Sequence, residues 1–291
     1  KPTPSGIYAI NEQMIHDLTY AEMEHASNLG ALIAVDFAEE CQCPAYIADP
    51  VVADEFMPES RYTGIPDIER KSIFHALNSK AVSRKYAASI GKKYEDLNII
   101  VVHLGGGISV GAHRKGQVID VNNALDGEGP FSTERAGTVP AGQLVELCFS
   151  GQYSKLQIKK MLSGRGGLSA HLGNNDMITI AAKAEEGEEP YKSVVDAMFY
   201  SVAREVGARY VALKGQVDAI IVKDLSRLGR HKTQTALFID YLRQQNVAIL
   251  SVTENLNTLL DEDDLIIGVR GLMNDYYAKD IGNKIRHGYR E

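Results

Sequence analysis

The 291-residue sequence predicts a mixed α/β fold in which strands come first, a helical block follows, and a strand–helix–strand pattern then restarts. Three observations carry this. A largely apolar run from Asn98 to Leu104 has the length and lack of alternation of a central strand. Ile108 to Ala112 and Val118 to Val121 flank Arg114-Lys115-Gly116, a hairpin signal. Helical patterns then fill about 141–149, 154–162, 176–186 and 190–213 before Val217 to Val222 reads as a new strand.

The remaining elements follow in chain order. Thr19-Tyr20-Ala21-Glu22 has capping-box spacing and predicts a helix through about Glu40, stopped by Pro44. Ala45 to Ala48 reads as a short buried strand ending at Asp49-Pro50, and residues 51–70 read as loop. Ser72 caps a predicted helix running to about Ile90. Past Gly215, Thr233 to Gln245 reads as a helix, Val247 to Val252 as a strand, and Asp261 to about Arg286 as one long helix. Its acidic first turn and basic last turns suit the helix dipole, and Ile266, Val269, Met273, Tyr276 or Tyr277, Ile281 and Ile285 form an apolar stripe.

Composition narrows the function classes. Apolar residues make up 44% and charged residues 24%, the balance of a globular protein, and no apolar run approaches the ~20 residues that span a bilayer. No membrane partner is expected. The opening, Lys1-Pro2-Thr3-Pro4-Ser5-Gly6, has no apolar core, so no secretion signal is read there, and it looks like mid-protein sequence. Three cysteines without metal spacing point to a reducing, cytoplasmic setting, and Cys41-Gln42-Cys43 lacks the second pair a zinc site needs. Net charge is −7; residues 219–291 carry ten charges of each sign, so the excess acidity lies entirely in residues 1–218. An acidic body argues against non-specific nucleic-acid binding as the main role.

The strongest local feature is Val101-Val102-His103-Leu104-Gly105-Gly106-Gly107-Ile108-Ser109, a strand broken by glycines before a hairpin. Without side chains, backbone N–H groups can approach phosphate oxygens closely; the alternative is a tight turn of no chemical consequence. The spacing is neither the nucleotide P-loop nor the dinucleotide fingerprint. Downstream, Asp126-Gly127-Glu128-Gly129-Pro130-Phe131-Ser132-Thr133-Glu134-Arg135-Ala136-Gly137 is a glycine-rich loop with a single Arg. Arg135 either braces that turn or sets a guanidinium fork on a carboxylate or phosphoryl group. His75 precedes a basic helix and is either structural or functional, and Asp49 is either a capping acid or an active-site carboxylate.

Several motifs in one order then resemble butyrate kinases of the acetate/butyrate kinase family. They are Glu24-His25-Ala26-Ser27-Asn28-Leu29-Gly30-Ala31-Leu32, Ile73-Phe74-His75-Ala76-Leu77-Asn78, His103 to Ser109, the Asp126 to Gly142 loop, and Ser163-Gly164-Arg165-Gly166-Gly167-Leu168-Ser169-Ala170-His171-Leu172-Gly173. The resemblance runs from Lys1 to about Ala219. It implies an actin-like, acetate-kinase-type (ribonuclease-H-like) α/β domain, expected to be incomplete at both ends. It implies transfer of a phosphoryl group between ATP and butyrate, or a related short-chain fatty acid, to give butyryl phosphate. By position Arg135, His75 and Asp49 resemble the family's catalytic residues. His103, Gly105, Gly106, Gly107 and Ser109 resemble its nucleotide-phosphate loop. ATP or ADP and Mg²⁺ are the implied cofactors, a small carboxylate and a nucleotide the implied partners, and a homodimer the implied assembly.

Two departures from that pattern are expected to impair the activity. The family's Asn-Pro-Gly-Ser-Thr loop lies upstream of Lys1. The Gly-Gly-Ile adenosine loop expected after Val222 is replaced by Lys223-Asp224-Leu225-Ser226-Arg227-Leu228-Gly229-Arg230. This last segment resembles the arginine motif of serine recombinases, with Arg227 and Arg230 in the positions that contact the scissile phosphate. The resemblance continues along residues 254–286. It implies a resolvase-like α/β fragment over 219–291, fused to a butyrate-kinase-like domain over 1–218, with a long C-terminal helix that dimerises. Ser226 does not match that family's nucleophile, and without one phosphoserine-linked cleavage has no first step. DNA is therefore a partner only if the C-terminal fragment works alone; a recombinase fragment and a non-catalytic dimerising fusion are the competing readings.

Overall fold

The computed structural model describes residues 2–20, 28–223 and 232–260, and of residues 232–237 only the helical backbone. Strand β1 (Ile7–Ala9) pairs antiparallel with β2 (Tyr46–Ala48), and between them lie helices α1 (Glu12–Thr19) and α2 (Leu29–Cys41). Asn11 starts α1, its side chain accepting from the Met14 N–H, which satisfies one of the unpaired amides of a helix N-terminus. Thr19 therefore closes a helix rather than opening one, and its Oγ1 donates to the Ile15 carbonyl. The expected capping box extends into residues outside the described ones. β2 is also less buried than expected, because it sits in a two-stranded ribbon, with Tyr46 57% exposed.

Helix α3 (Ala76–Ser89) begins four residues after the expected cap. Ser72 Oγ donates instead to the Ala53 carbonyl, and His75 occupies the position before the helix. Strands β3 (Asn98–Leu104), β4 (Ile108–Arg114) and β5 (Gln117–Val121) form the antiparallel part of a six-stranded sheet among the described residues. β6 (Ala219–Val222) pairs parallel to β3, β7 (Ala248–Ser251) parallel to β6, and β8 (Leu256–Asn257) antiparallel to β7, so the order is β5-β4-β3-β6-β7-β8. Three consecutive antiparallel strands, followed by two parallel ones on the far side of the first, make the ribonuclease-H-like arrangement.

The central strands are apolar on both faces because both faces are covered. Ile100 and Val102 join Ile220 and Val222 in one core, while Ile99 and Val101 join Ile221 in another with Ala87 of α3. The first core is closed by α6 (Gly167–Leu172), α7 (Met177–Glu185) and α8 (Tyr191–Ala212), through Leu168, Ile180, Val195, Met198 and Val202. Helices α4 (Ala141–Phe149) and α5 (Lys155–Leu162) match the periodic expectation, whereas α6, six residues long and opening on glycine, is too short to show a helical period. Helix α9 (Lys232–Gln244) places Ile239 and Leu242 in the same core as Ile100. The sheet and its core thus continue across the expected boundary at 218/219. The expected helix at 261–286 and Arg227 and Arg230 lie outside the described residues.

Candidate active site

The site forms where β3 ends. Gly105 N donates to the Gly107 carbonyl at 3.1 Å, closing the bend between β3 and β4. Ser132 Oγ donates to the Gly106 carbonyl at 2.6 Å and accepts from Arg135 N at 3.2 Å, which ties the Arg135 loop to the bend. A β-carbon at Gly107 would overlap the Arg135 guanidinium, whereas one at Gly106 would meet open space. Within the bend, Gly107 is thus the position where absence of a side chain admits the cation.

The loop bearing Arg135 is held from two sides. Glu128 accepts from Asn123 N and from the Arg70 guanidinium, which also bonds Asp120 at 3.0 Å and the carbonyls of Ser60 and Val121. On the other side Leu168 N donates to the Ser132 carbonyl and Ser169 N to the Thr133 carbonyl. Gly167 lies at φ +60°, and a β-carbon there would strike the Ser132 carbonyl, so this contact needs glycine both for conformation and for space. The Ser163 to Gly173 motif, which the sequence offered without a role, is the buttress of the Arg135 loop.

His75 reaches the same place from the N-terminus of α3. Its Nδ1 lies 2.9 Å from Ser109 Oγ, and its ring stacks on His103 with centroids 3.6 Å apart and 7° between planes. Asn78, one turn into α3, donates to His103 Nδ1 at 3.0 Å. Burial, then the nearby Lys223 charge, lower the pKa of His103 below the ordinary histidine value. Burial also lowers Arg135, partly opposed by Glu134.

Asp49 is 4% exposed, and its partners lie outside the chamber described below. Its carboxylate accepts from Arg84 Nη1 at 2.7 Å, from Gly6 N at 3.1 Å and from Ser5 Oγ. Burial opposes its ionisation, but the hydrogen bonds from Arg84 and Ser5 and the Arg84 charge outweigh that and hold the carboxyl below its ordinary range. The next residues, Pro50, Val51 and Val52, turn into a cavity of about 470 Å³ also lined by His75, Ser109 and Arg135. Its walls include Met14, Leu18, Ile47, Phe74 and Leu125, so an apolar chamber shares its lining with a cation and an imidazole. That suits a small molecule with an apolar body and an anionic group.

Among the described residues no cluster of three or more His, Cys, Asp or Glu side chains could hold a metal ion. The Asp49 carboxylate is taken up by Arg84, Ser5 and Gly6. Arg84, Asn78, Ser132 and Arg70 were not singled out in the sequence. Asn78 carried a usable signal, since three residues after His75 is the same helical face; the carboxylate partners of Arg84 and Arg70 lie 35 and 50 or more positions away, and those arginines carried none.

This strand order, with a glycine bend at the carboxyl end of the central strand, is that of the actin-like, acetate-kinase-type folds. The crystal structure of Porphyromonas gingivalis acetate kinase superposes with a TM-score of 0.68 at 18% identity, covering 82% of this chain and 63% of that one. The chain belongs to the Acetokinase family, whose model matches residues 61–225. It is 76% identical over 222 residues to a probable butyrate kinase of Phocaeicola vulgatus. It is 53% identical over 223 residues to butyrate kinase 1 of Clostridium acetobutylicum. Each match takes in 76% of this chain and 63% of the relative, so the chain spans less than two thirds of the curated relatives it matches. The model of the resolvase N-terminal domain matches residues 192–291, so a kinase-like and a resolvase-like segment are joined in one chain.

Proposed function

We propose that this chain carries the acyl-side half of a carboxylate kinase site. It binds butyrate or a related short-chain fatty acid in the apolar chamber and orients the carboxylate toward Arg135 and His75. The phosphates of ATP or ADP lie along the Gly105–Gly107 bend, beside His103 and Ser109. The observation that carries this reading is the packing of Arg135 against Gly107, on the wall of the chamber that His75 and Ser109 also line. In phosphoryl transfer charge spreads over the equatorial oxygens, so a planar cation and an N–H donor fixed beside the acceptor supply positioning and electrostatic stabilisation. Mg²⁺, if carried, arrives on the nucleotide phosphates, as is usual for an ion that keeps few protein ligands.

Turnover by this chain is proposed to be impaired, because Lys223-Asp224-Leu225 follows β6 where the family pattern has its adenosine loop. The working protein is proposed to be a cytoplasmic homodimer; among the described residues no helix is long and apolar enough to cross a membrane. The resolvase match supports a second reading, DNA contact through Arg227 and Arg230. Thermal stabilisation by butyrate and ADP, beside salt-dependent binding to duplex DNA, tests both. Butyrate stabilisation lost in Arg135→Ala supports the kinase reading. Duplex binding lost in the Arg227→Ala/Arg230→Ala double variant, with no response to butyrate or ADP, replaces it.

A further inference from the structure

His103 and Ser109 are direct partners across the β3–β4 antiparallel pair, so their side chains stand on one face of the sheet. His75 lies against both, stacked on the ring of one and within hydrogen-bond distance of the hydroxyl of the other. Because the Asn78 amide nitrogen donates to His103 Nδ1, that nitrogen is an acceptor and the proton of the neutral ring sits on Nε2. Nε2 is also the atom that a β-carbon at Gly105 would meet first, at 3.3 Å, so it borders the glycine bend.

We propose that His103 is a positioning residue for His75: anchored by Asn78, its ring face holds the His75 imidazole against Ser109, and the stacked pair carries at most one positive charge. The inference rests on the proposed kinase site only for the identity of the ligand. Two imidazolium rings face to face at 3.6 Å would repel, so protonation of one opposes protonation of the other. Lys223, at the end of β6, adds a positive charge beside His103. Across the chamber that His75 lines stand Arg135 and, from α1, Asp17. The same contacts deny His75 the rotamer freedom of an isolated histidine, so it meets an incoming anion already oriented.

The test follows the imidazole resonances of His75 and His103 against pH in the full, ligand-free chain, with sulfate as the anion probe because it does not titrate in this range. His75→Phe keeps a flat ring on His103 and removes the like charge. The His103 midpoint is expected to rise by about one pH unit or more, the size of a unit charge at this separation in a partly solvated site. His103→Ala is expected to weaken sulfate binding about tenfold, and His103→Phe, which preserves the stacking face, to weaken it less. A His103 midpoint that stays put in His75→Phe, or equal sulfate affinity in parent and His103→Ala, overturns the proposal. Absence of sulfate binding by the parent chain would instead count against the kinase site, and the titration would still decide the pair.

Discussion

The guanidinium of Arg135 occupies the space that a side chain at Gly107 would need. Gly107→Val is therefore expected to displace Arg135 and to cost about tenfold or more in anion affinity, the scale of one charge-assisted hydrogen bond. Gly106→Ala, facing open space, should bind within a few-fold of the parent. Titration with sulfate, followed by intrinsic tyrosine fluorescence, separates the two. Equal losses would mean the bend acts through its backbone alone.

Asp49 joins the β1–β2 ribbon to α3 through Arg84, Ser5 and Gly6. Asp49→Asn should lower stability by about 1–3 kcal/mol, because a buried charged partner is lost while half-exposed Arg84 can turn to water. The sign with pH follows from the depressed folded value. Stability from this carboxylate is present above the unfolded value near 3.8 and is lost as pH falls through the folded one. Chemical denaturation at pH 7 and pH 3 should show the variant's deficit shrinking in acid.

His113 is fully buried beside Tyr94, whose hydroxyl lies 2.6 Å from Nδ1, and its Nε2 has no hydrogen-bond partner among the described residues. Burial, then the Lys80 and Arg84 charges, push it down to about 3. The folded ring stays neutral while the unfolded one takes up a proton below about 6.5, so stability falls as pH drops from there toward 3. His113→Phe should flatten that dependence in melts between pH 7 and 4. An unchanged slope would place the acid sensitivity elsewhere.

Asp120 accepts from Arg70 at 3.0 Å and from buried Arg209 at 2.7 Å, linking β5 to α8 and, through the Arg70–Glu128 pair, to the loop that carries Arg135. Asp120→Asn takes one of two carboxylate partners from each cation, Arg70 keeping Glu128 and Arg209 keeping Glu205, and should cost about 1–3 kcal/mol. Replacing both Asp120 and Arg209 by apolar residues of similar volume should recover part of that loss in urea denaturation. Failure to recover would mean the network holds the backbone as well as the charge.

The elements with strong periodicity were legible. β3 and α4 have the predicted limits, and α5, α7, α8, α9 and β7 differ by a single residue at one or both ends. What failed was local chemistry outvoted by contacts distant in sequence. Ser72 has the side chain of a helix cap but bonds Ala53, and β1 is a three-residue strand defined only by its pairing with β2. In the site, glycines and Arg135 announced themselves by type and grouping. Asp49 was legible as a strand-end carboxylate, but not its partner Arg84, because a single Arg on a helix gives no sign of what it faces. The His75–His103 stack was invisible for the same reason.

A chain ended at Lys223 would lose α9, β7 and β8 and expose the outer edge of β6. Residues Ile239, Leu242 and Ile249 would leave the core, each worth about 1.5–3 kcal/mol of burial. Such a chain is expected to aggregate at concentrations where the full chain is monodisperse by light scattering, since an open apolar strand edge recruits other strands. Equal dispersity and melting temperature would show that the later segment rides on a sheet already complete.

Because β6 takes Ile99 to Val102 on one side and residues 248–251 on the other, in register and without a bulge, its pairing tests only strand direction, length and side-chain alternation. A backbone ladder does not inspect ancestry. Any segment that offers a helix and a β-branched run at that spacing can dock there, which makes this seam a tolerant splice point: hybrid chains cut here can keep a shared interior while exchanging everything that protrudes beyond it.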